Sequence, residues 1–410
     1  MGARRGRSDH AARSRRTGCS PRLGLRTLLA VRFLVVAPQT ATNSLGRATS
    51  LMEVLHRIGD SHLAAYDTGP LWVGAEGTPF DVERFTSYEG LSALVRRQVG
   101  AGEHPLVIIA VKPFPRTLGW GAKLRNELGD ATRLVADVDD ADLPLQRAWR
   151  RREPPRVRVL RFLSENRDPS FHTPLNIRRT LWLSLPRADL LFLSTWALRV
   201  DIPRFRGPAL RLPHPRPRQD YLPPSAGERL RLGFLGTPRK HKGFDRLLAI
   251  LASRADVELH LLEGTPLPPG VAETHGERLV IHPLVGADTL PQAFADIDVV
   301  VLPQDAAMSG GRLQLPAKLL DAQRFGRPVV ATATPPIVEL GGPGLIPIDD
   351  WRLSTALTAL DGLVDPAVRT QLGRAANKYF NENLSAEVQA RALAPELGRA
   401  LGLEPPAVSV

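Results

Sequence analysis

The sequence predicts an α/β protein whose parallel sheets are buried between helices and divided over two domains. Three observations predict it. Its 410 residues exceed what one hydrophobic core usually organises. Residues 298–332 read strand, loop, helix, strand, and both strands, Val299 to Leu302 and Pro328 to Thr332, are continuously apolar, as in a sheet covered on both faces. Near the middle, Pro213-His214-Pro215-Arg216-Pro217 and Pro223-Pro224-Ser225 form a connector too rich in proline for a helix or a central strand.

Composition narrows the function. A hydrophobic fraction of 43% suits a globular chain, and the lone Cys19 permits neither an internal disulfide nor a cysteine-based metal cage. The net charge of +12 suggests nucleic acid until its position is considered. Residues 1–32 hold nine Arg and one Asp, which is +8, leaving +4 for the other 378. Residues 1–28 therefore read as a disordered basic tail, and nucleic acid is not an expected partner. The apolar run 27–42 is interrupted by Arg32 and is shorter than the ~20 residues that span a bilayer.

The N-terminal domain, 29–212, opens with a buried strand from Val31 to Ala37, a turn at Asn43-Ser44-Leu45-Gly46, a helix from Ala48 to Ile58 and a second strand from His62 to Tyr66. A strand at 105–111 ends in Lys112-Pro113, a helix runs from Leu118 to Leu128, and a further strand ends in Asp137-Val138-Asp139-Asp140. These carboxylates either cap a turn facing the cleft or hold a divalent cation, and Lys112 is either a substrate contact or a turn residue. Residues 147–161 carry seven Arg against one Glu, read as a solvated face or a patch for an anionic surface. A helix within 171–187 and a strand from Ala188 to Ser194 complete this half.

After the connector, 213–228, the second domain spans 229–384. The strand from Leu230 to Gly236 meets Thr237-Pro238-Arg239-Lys240-His241-Lys242-Gly243, which is neither a dinucleotide fingerprint nor a Walker A sequence. In the stretch 298–332, a small loop with Gly310 and Gly311 precedes a helix from Pro316 to Phe325. Pro316 suits the first helical position and Gly326 the position past its end. The helix N-terminus then points beyond the carboxyl ends of the strands, where ligands bind in such sheets. Lys318 lies in its first turn and Asp321 one turn later. Helices within 353–380 and from Ser385 to Leu401 follow.

PAKLLDAQRFGRPVVAT resembles the sugar-nucleotide signature of glycosyltransferase family 4, a Pro-x-Lys-Leu-x-(Glu/Asp)-Ala helix followed by Gly-x-Pro-Val-Val-Ala. The resemblance implies a GT-B fold, two Rossmann-like domains facing each other across a cleft, with the 385–401 helix bracing the N-terminal domain. It implies that Gly236, Thr237, Arg239, Lys242, Gly243, Arg312, Pro316, Lys318, Leu319 and Asp321 bind the donor, Asp321 taking the ribose hydroxyls. Lys242 and Lys318 hold the departing diphosphate, and Gly46, Lys112, Asp137, Asp139 and Asp140 face the acceptor side. Two positions depart from the pattern: Leu313 replaces a Glu, and Thr237 replaces an Arg that Arg239 would then supply.

The expectation is retaining transfer of a sugar from a nucleoside diphosphate to a hydroxyl of a glycan, lipid or small molecule, with no metal and no cofactor. The expected location is cytoplasmic, with peripheral membrane contact through the basic patch. Two alternatives remain: an epimerase or hydrolase of the same fold, and a basic surface-binding protein without catalysis. His214 reads as a linker residue, and Pro335 to Leu340 as a turn closing over the nucleotide.

Overall fold

The computed structural model describes residues 31–403 apart from 152–153, 166, 203–204 and 237–238. The basic tail and Thr237 lie outside the described residues.

The first domain runs β1 (Arg32–Ala37), α1 (Ser44–Ile58), β2 (Asp60–Tyr66), β3 (Val82–Phe85), α2 (Tyr88–Gly100), β4 (Leu106–Val111), α3 (Trp120–Leu128) and β5 (Thr132–Val138). It continues through α4 (Asp142–Arg150), α5 (Pro155–Glu165), α6 (Pro174–Leu183), β6 (Leu190–Leu193) and β7 (Ala209–Arg211). The sheet order is β3-β2-β1-β4-β5-β6-β7, and each pairing is parallel. Successive strand residues point to opposite faces, so Phe33, Val35 and Ala37 enter one apolar layer and Leu34 and Val36 the other. Both layers are covered by helices, which is why β1 reads as an uninterrupted apolar run.

The second domain runs β8 (Leu230–Phe234), α7 (Phe244–Ser253), β9 (Val257–Leu262), α8 (Val271–His275), β10 (Leu279–His282), α9 (Leu290–Ala295), β11 (Val299–Leu302), α10 (Ser309–Leu313) and α11 (Ala317–Arg324). Then come β12 (Val329–Thr332), α12 (Pro335–Leu340), β13 (Leu345–Ile348), α13 (Leu353–Asp361), α14 (Pro366–Asn383) and α15 (Ala386–Leu401). Its sheet, β10-β9-β8-β11-β12-β13, is also parallel throughout. Val300 and Leu302 face one core layer, and Val299 and Val301 the other.

The chain crosses between the domains twice. The connector carries no helix or strand, but the Arg216 carbonyl accepts from the Ala386 N–H at 2.8 Å, and the Gln219 carbonyl accepts from Asn377 and Asn381 of α14. α15 then buries Ala390, Leu393, Leu397 and Leu401 in the same apolar layer as α1 of the first domain. Arg57 of α1 pairs with Glu387 at 2.7 Å.

Four local expectations need correction. α1 begins at Ser44, so Gly46 lies in its first turn and not in a loop; a Cβ there would strike the Trp72 ring. Gly310 and Gly311 belong to the short helix α10, where the missing side chains admit Leu145 of the first domain and the Asp305 carbonyl. Pro316 occupies the position before α11, with extended backbone, so the helix starts at Ala317. The 335–340 segment is helical, its two prolines filling the first turn where missing N–H groups go unnoticed.

Candidate active site

At the carboxyl end of β8, three cationic side chains gather. Lys242 ends a short 3-10 turn, and Gly243 follows in the left-handed conformation at φ 67°, where it caps α7. The geometry demands glycine, because a Cβ at 243 would collide with the Pro303 carbonyl. Lys318, in the first turn of α11, lays its ammonium 4.8 Å from the centre of the Phe234 ring and against Gly236, where a Cβ would displace it. Arg239 is exposed beside them.

Among the described residues, no carboxylate forms an ion pair with Arg239, Lys242 or Lys318. Burial, reinforced by Arg239, pushes Lys242 down to about 8. Burial, reinforced by Lys242, holds Lys318 well below the ordinary lysine value. Ammonium groups so depressed stabilise an incoming anion strongly, because binding relieves their mutual repulsion. The N–H groups of Ala317 and Lys318, in the first turn of α11, donate to no backbone carbonyl among the described residues.

Asp321 stands one turn further along α11, nearly buried, and accepts from Arg216 Nε at 2.8 Å through Oδ1. Arg216 also bonds Ser50 of α1. Oδ2 of Asp321 accepts from no described group. Leu319, expected beside the donor, instead points into the core of the second domain and is fully buried. Arg312 is exposed on α10. Leu313, at the position of the family's Glu, is buried in an apolar layer of the first domain. That site fastens the domains together and offers no polar group to a sugar.

Across the cleft, Lys112 is the one described residue other than glycine with positive φ, at 65°. Its ammonium is buried and reaches Asp139 at 2.7 Å and Asp140 and Asp142 at 3.2 Å each. Burial alone would discharge Lys112, but the three carboxylates outweigh it and hold its pKa well above the usual value. Burial raises Asp142 to about 8 despite Lys112. Asp140, also buried, is brought down to about 2 by Lys112 and by neighbouring hydrogen bonds. Asp137 does not share this cluster. Its carboxylate is fully buried and grips Arg47 at 2.6 and 3.1 Å, and Arg47 also bonds the Leu212 carbonyl. This pair supports the cleft floor and presents nothing to an acceptor.

Polar contacts among the described residues join the two sides of the cleft. Gln314, just past α10, donates to Asp140 at 2.7 Å. Glu339 of α12 accepts from Thr195 at 3.1 Å and pairs with Arg211. His214 donates from Nε2 to the Leu315 carbonyl at 3.3 Å. It is buried, and burial with Arg47 and Arg216 nearby lowers it to about 3, so it is neutral at ordinary pH. Lastly, Ala287 N–H reaches the Glu76 carbonyl at 3.0 Å.

The sequence reading passed over Arg216, Gln314, Glu339 and Asp142. Asp142, two residues past the Asp139-Asp140 pair, was the one with a local signal. The others earn their places only through contacts between distant segments.

Residues 229–360 match the family described as glycosyl transferases group 1. No curated protein sequence matches the chain. Among solved structures, HepE of Anabaena in complex with UDP superposes with a TM-score of 0.61, covering 90% of this chain and 100% of that one at 15% identity. Sucrose-phosphate synthase from Thermosynechococcus elongatus gives 0.59 over 91% and 99%, at 14% identity. WaaG, a glycosyltransferase involved in lipopolysaccharide biosynthesis, gives 0.55 over 89% and 99%, at 14%. At such identities the likeness defines the fold, which is GT-B. Residues 229–360 thus match a glycosyl transferases group 1 domain, set within a chain of GT-B fold.

Proposed function

We propose that the protein is a family 4 enzyme that transfers a sugar from a nucleoside diphosphate sugar to an acceptor hydroxyl with retention of anomeric configuration. The observation that carries this reading is the convergence of Arg239, Lys242 and Lys318 on one corner with no described carboxylate paired to them. A diphosphate supplies the missing negative charge. Asp321 Oδ2 accepts a ribose hydroxyl while Arg216 holds Oδ1. The sugar then lies in the cleft, toward the Lys112 and Asp140 cluster, where the acceptor enters.

The scission releases a diphosphate, so the main demand is to stabilise charge on the departing phosphate oxygens. Lys242, Lys318 and the first turn of α11 do this. A phosphate oxygen of the leaving group takes the acceptor's proton as the new glycosidic bond forms. No carboxylate pair of the glycosidase type is needed, and no metal enters the scheme. Mixing the protein with UDP-, GDP- and TDP-sugars and following thermal unfolding tests the donor site, since saturating ligand at 100 times Kd adds about 2.7 kcal/mol. Absence of any shift with all three removes the reading. NMR of the product's anomeric proton then tests retention.

A further inference from the structure

The first domain has a depression of about 350 Å³ between the start of α3 and α6, bordered by Pro115, Gly119, Trp120, Asn176, Thr180 and Leu183. Among the described residues nothing requires glycine at 119. Its φ is −63°, ordinary helical backbone, and a Cβ there would meet no atom closer than 3.9 Å, Pro115 and Thr180 standing on either side. Glycine in a helical run costs stability relative to alanine, so something other than packing accounts for it. What the missing side chain leaves is the opening between Pro115 and Thr180. The turn that Gly119 closes, Pro115–Gly119, is π-helical, a rare form that recurs at functional sites. The walls are held in place. Trp120 packs against Tyr66, Phe85 and Tyr88, with ring centres 5.9 to 6.2 Å away. Arg116 lies 4.0 Å from the centre of the Tyr66 ring and donates to Ser170 Oγ at 3.2 Å. Asn176 donates from Nδ2 to the Asp168 and Phe171 carbonyls at 3.2 Å each. Asn176 is 2% exposed, and its Oδ1 finds no partner among the described residues. A buried oxygen in that position costs stability until something donates to it.

We infer that this depression binds one ring of a carbohydrate chain, away from the reacting end, so that the acceptor is an oligosaccharide. That the chain is the acceptor rests on the glycosyltransferase reading. A sugar ring has an apolar C–H face and a rim of hydroxyls, and pockets that bind such molecules set apolar walls beside a few fixed polar groups. Trp120, Pro115 and Leu183 suit the face, while Asn176 Oδ1, Thr180 and Ser170 suit the hydroxyls. Gly119 gives the ring room to approach the helix backbone. The same π-helical turn ties the depression to the cleft. Thr117 Oγ1 donates to the Lys112 carbonyl at 2.7 Å, and the Lys112 ammonium holds Asp139 and Asp140. A glycan seated between α3 and α6 leads along that turn toward the cluster where the acceptor hydroxyl enters.

The test uses the full chain with maltotriose, cellotriose, mannotriose, galactotriose and chitotriose, followed by saturation-transfer NMR and titration. At least one of these should bind the parent. Gly119→Met, whose side chain fills the opening, should bind that trisaccharide at least tenfold more weakly and unfold at the parent's temperature or above it. A glycine needed only for packing would not give that pairing. Failure of all five sugars to bind, a Gly119→Met that binds as the parent does, or one that unfolds well below it, overturns the subsite. UDP titration of the unaltered protein keeps the two readings apart. Trisaccharide binding without UDP binding strikes the donor site alone, and UDP binding without trisaccharide binding strikes the subsite alone.

Discussion

Arg216, in the connector between the domains, binds Asp321 of α11 through a single nitrogen and a single carboxylate oxygen, at 2.8 Å. The arrangement leaves the second oxygen available. Asp321→Ala should weaken nucleoside diphosphate binding by about 1.5–3 kcal/mol, the scale of a hydrogen bond to a charged group. Arg216→Ala should cost less, since it disturbs the orientation of the carboxylate without removing it. Calorimetric titration with the free nucleotide distinguishes the two, and equal affinity of Asp321→Ala and the parent would remove Asp321 from the donor site.

Burial and Arg239 depress Lys242, burial and Lys242 depress Lys318, and this makes donor binding depend on pH. The folded-state pKa of Lys242, about 8, lies below its ordinary 10.5. Between those values the unfolded chain holds more protons, so the free protein should gain stability as pH rises from about 8 toward 10.5. A bound diphosphate raises both lysines, so binding should take up protons across that range. Calorimetry in two buffers of different ionisation enthalpy measures the uptake. Each Lys→Ala should lose about 1.5–3 kcal/mol of donor binding, and the double variant less than the sum.

Asp142 should be protonated in the folded protein at pH 7, since burial lifts it to about 8. The folded state then holds a proton that the unfolded state has released above about 4, so this contribution is present at low pH and fades as pH rises through 8. Asp142→Asn is neutral in both states, so it should be more stable than the parent at pH 7, where the parent must take up a proton to fold, and more stable still by comparison at pH 9. Asp139→Asn breaks the 2.7 Å pair with Lys112 and should cost about 3 kcal/mol. Thermal unfolding of both variants at the two pH values decides it.

Two glycines in the cation corner should respond differently to alanine. At Gly243 the obstacle is backbone, the Pro303 carbonyl, and φ is positive, so Gly243→Ala should lose about 1–3 kcal/mol of folding stability. At Gly236 the obstacle is the mobile end of Lys318, so Gly236→Ala should fold nearly as well and lose donor affinity instead. Chemical denaturation and nucleotide titration of the pair separate these outcomes.

The fold was legible because its central strands are apolar on both faces, a pattern visible one residue at a time in Val299 to Leu302. Elements without that pattern were missed: β3, with Glu83 and Arg84 turned outward, and β7, only three residues long, give no run to find. α10 was taken for a loop because glycine opposes helix, and its two glycines are explained only by Leu145 and Asp305 pressing on them. The corner at Lys242 and Lys318 could be read because each lysine sits in a local motif. Arg216 and Glu339 could not, since their partners lie 105 and 128 residues away.

The two passages of chain between the domains touch at the hydrogen bond from Ala386 to the Arg216 carbonyl. A body hung from one strand can swivel in any direction, whereas two strands clasped together act as a door hinge and favour a single swing. Arg216 is part of that hinge and its side chain holds the carboxylate of Asp321. Whatever tugs on Asp321 therefore pulls at the pivot itself.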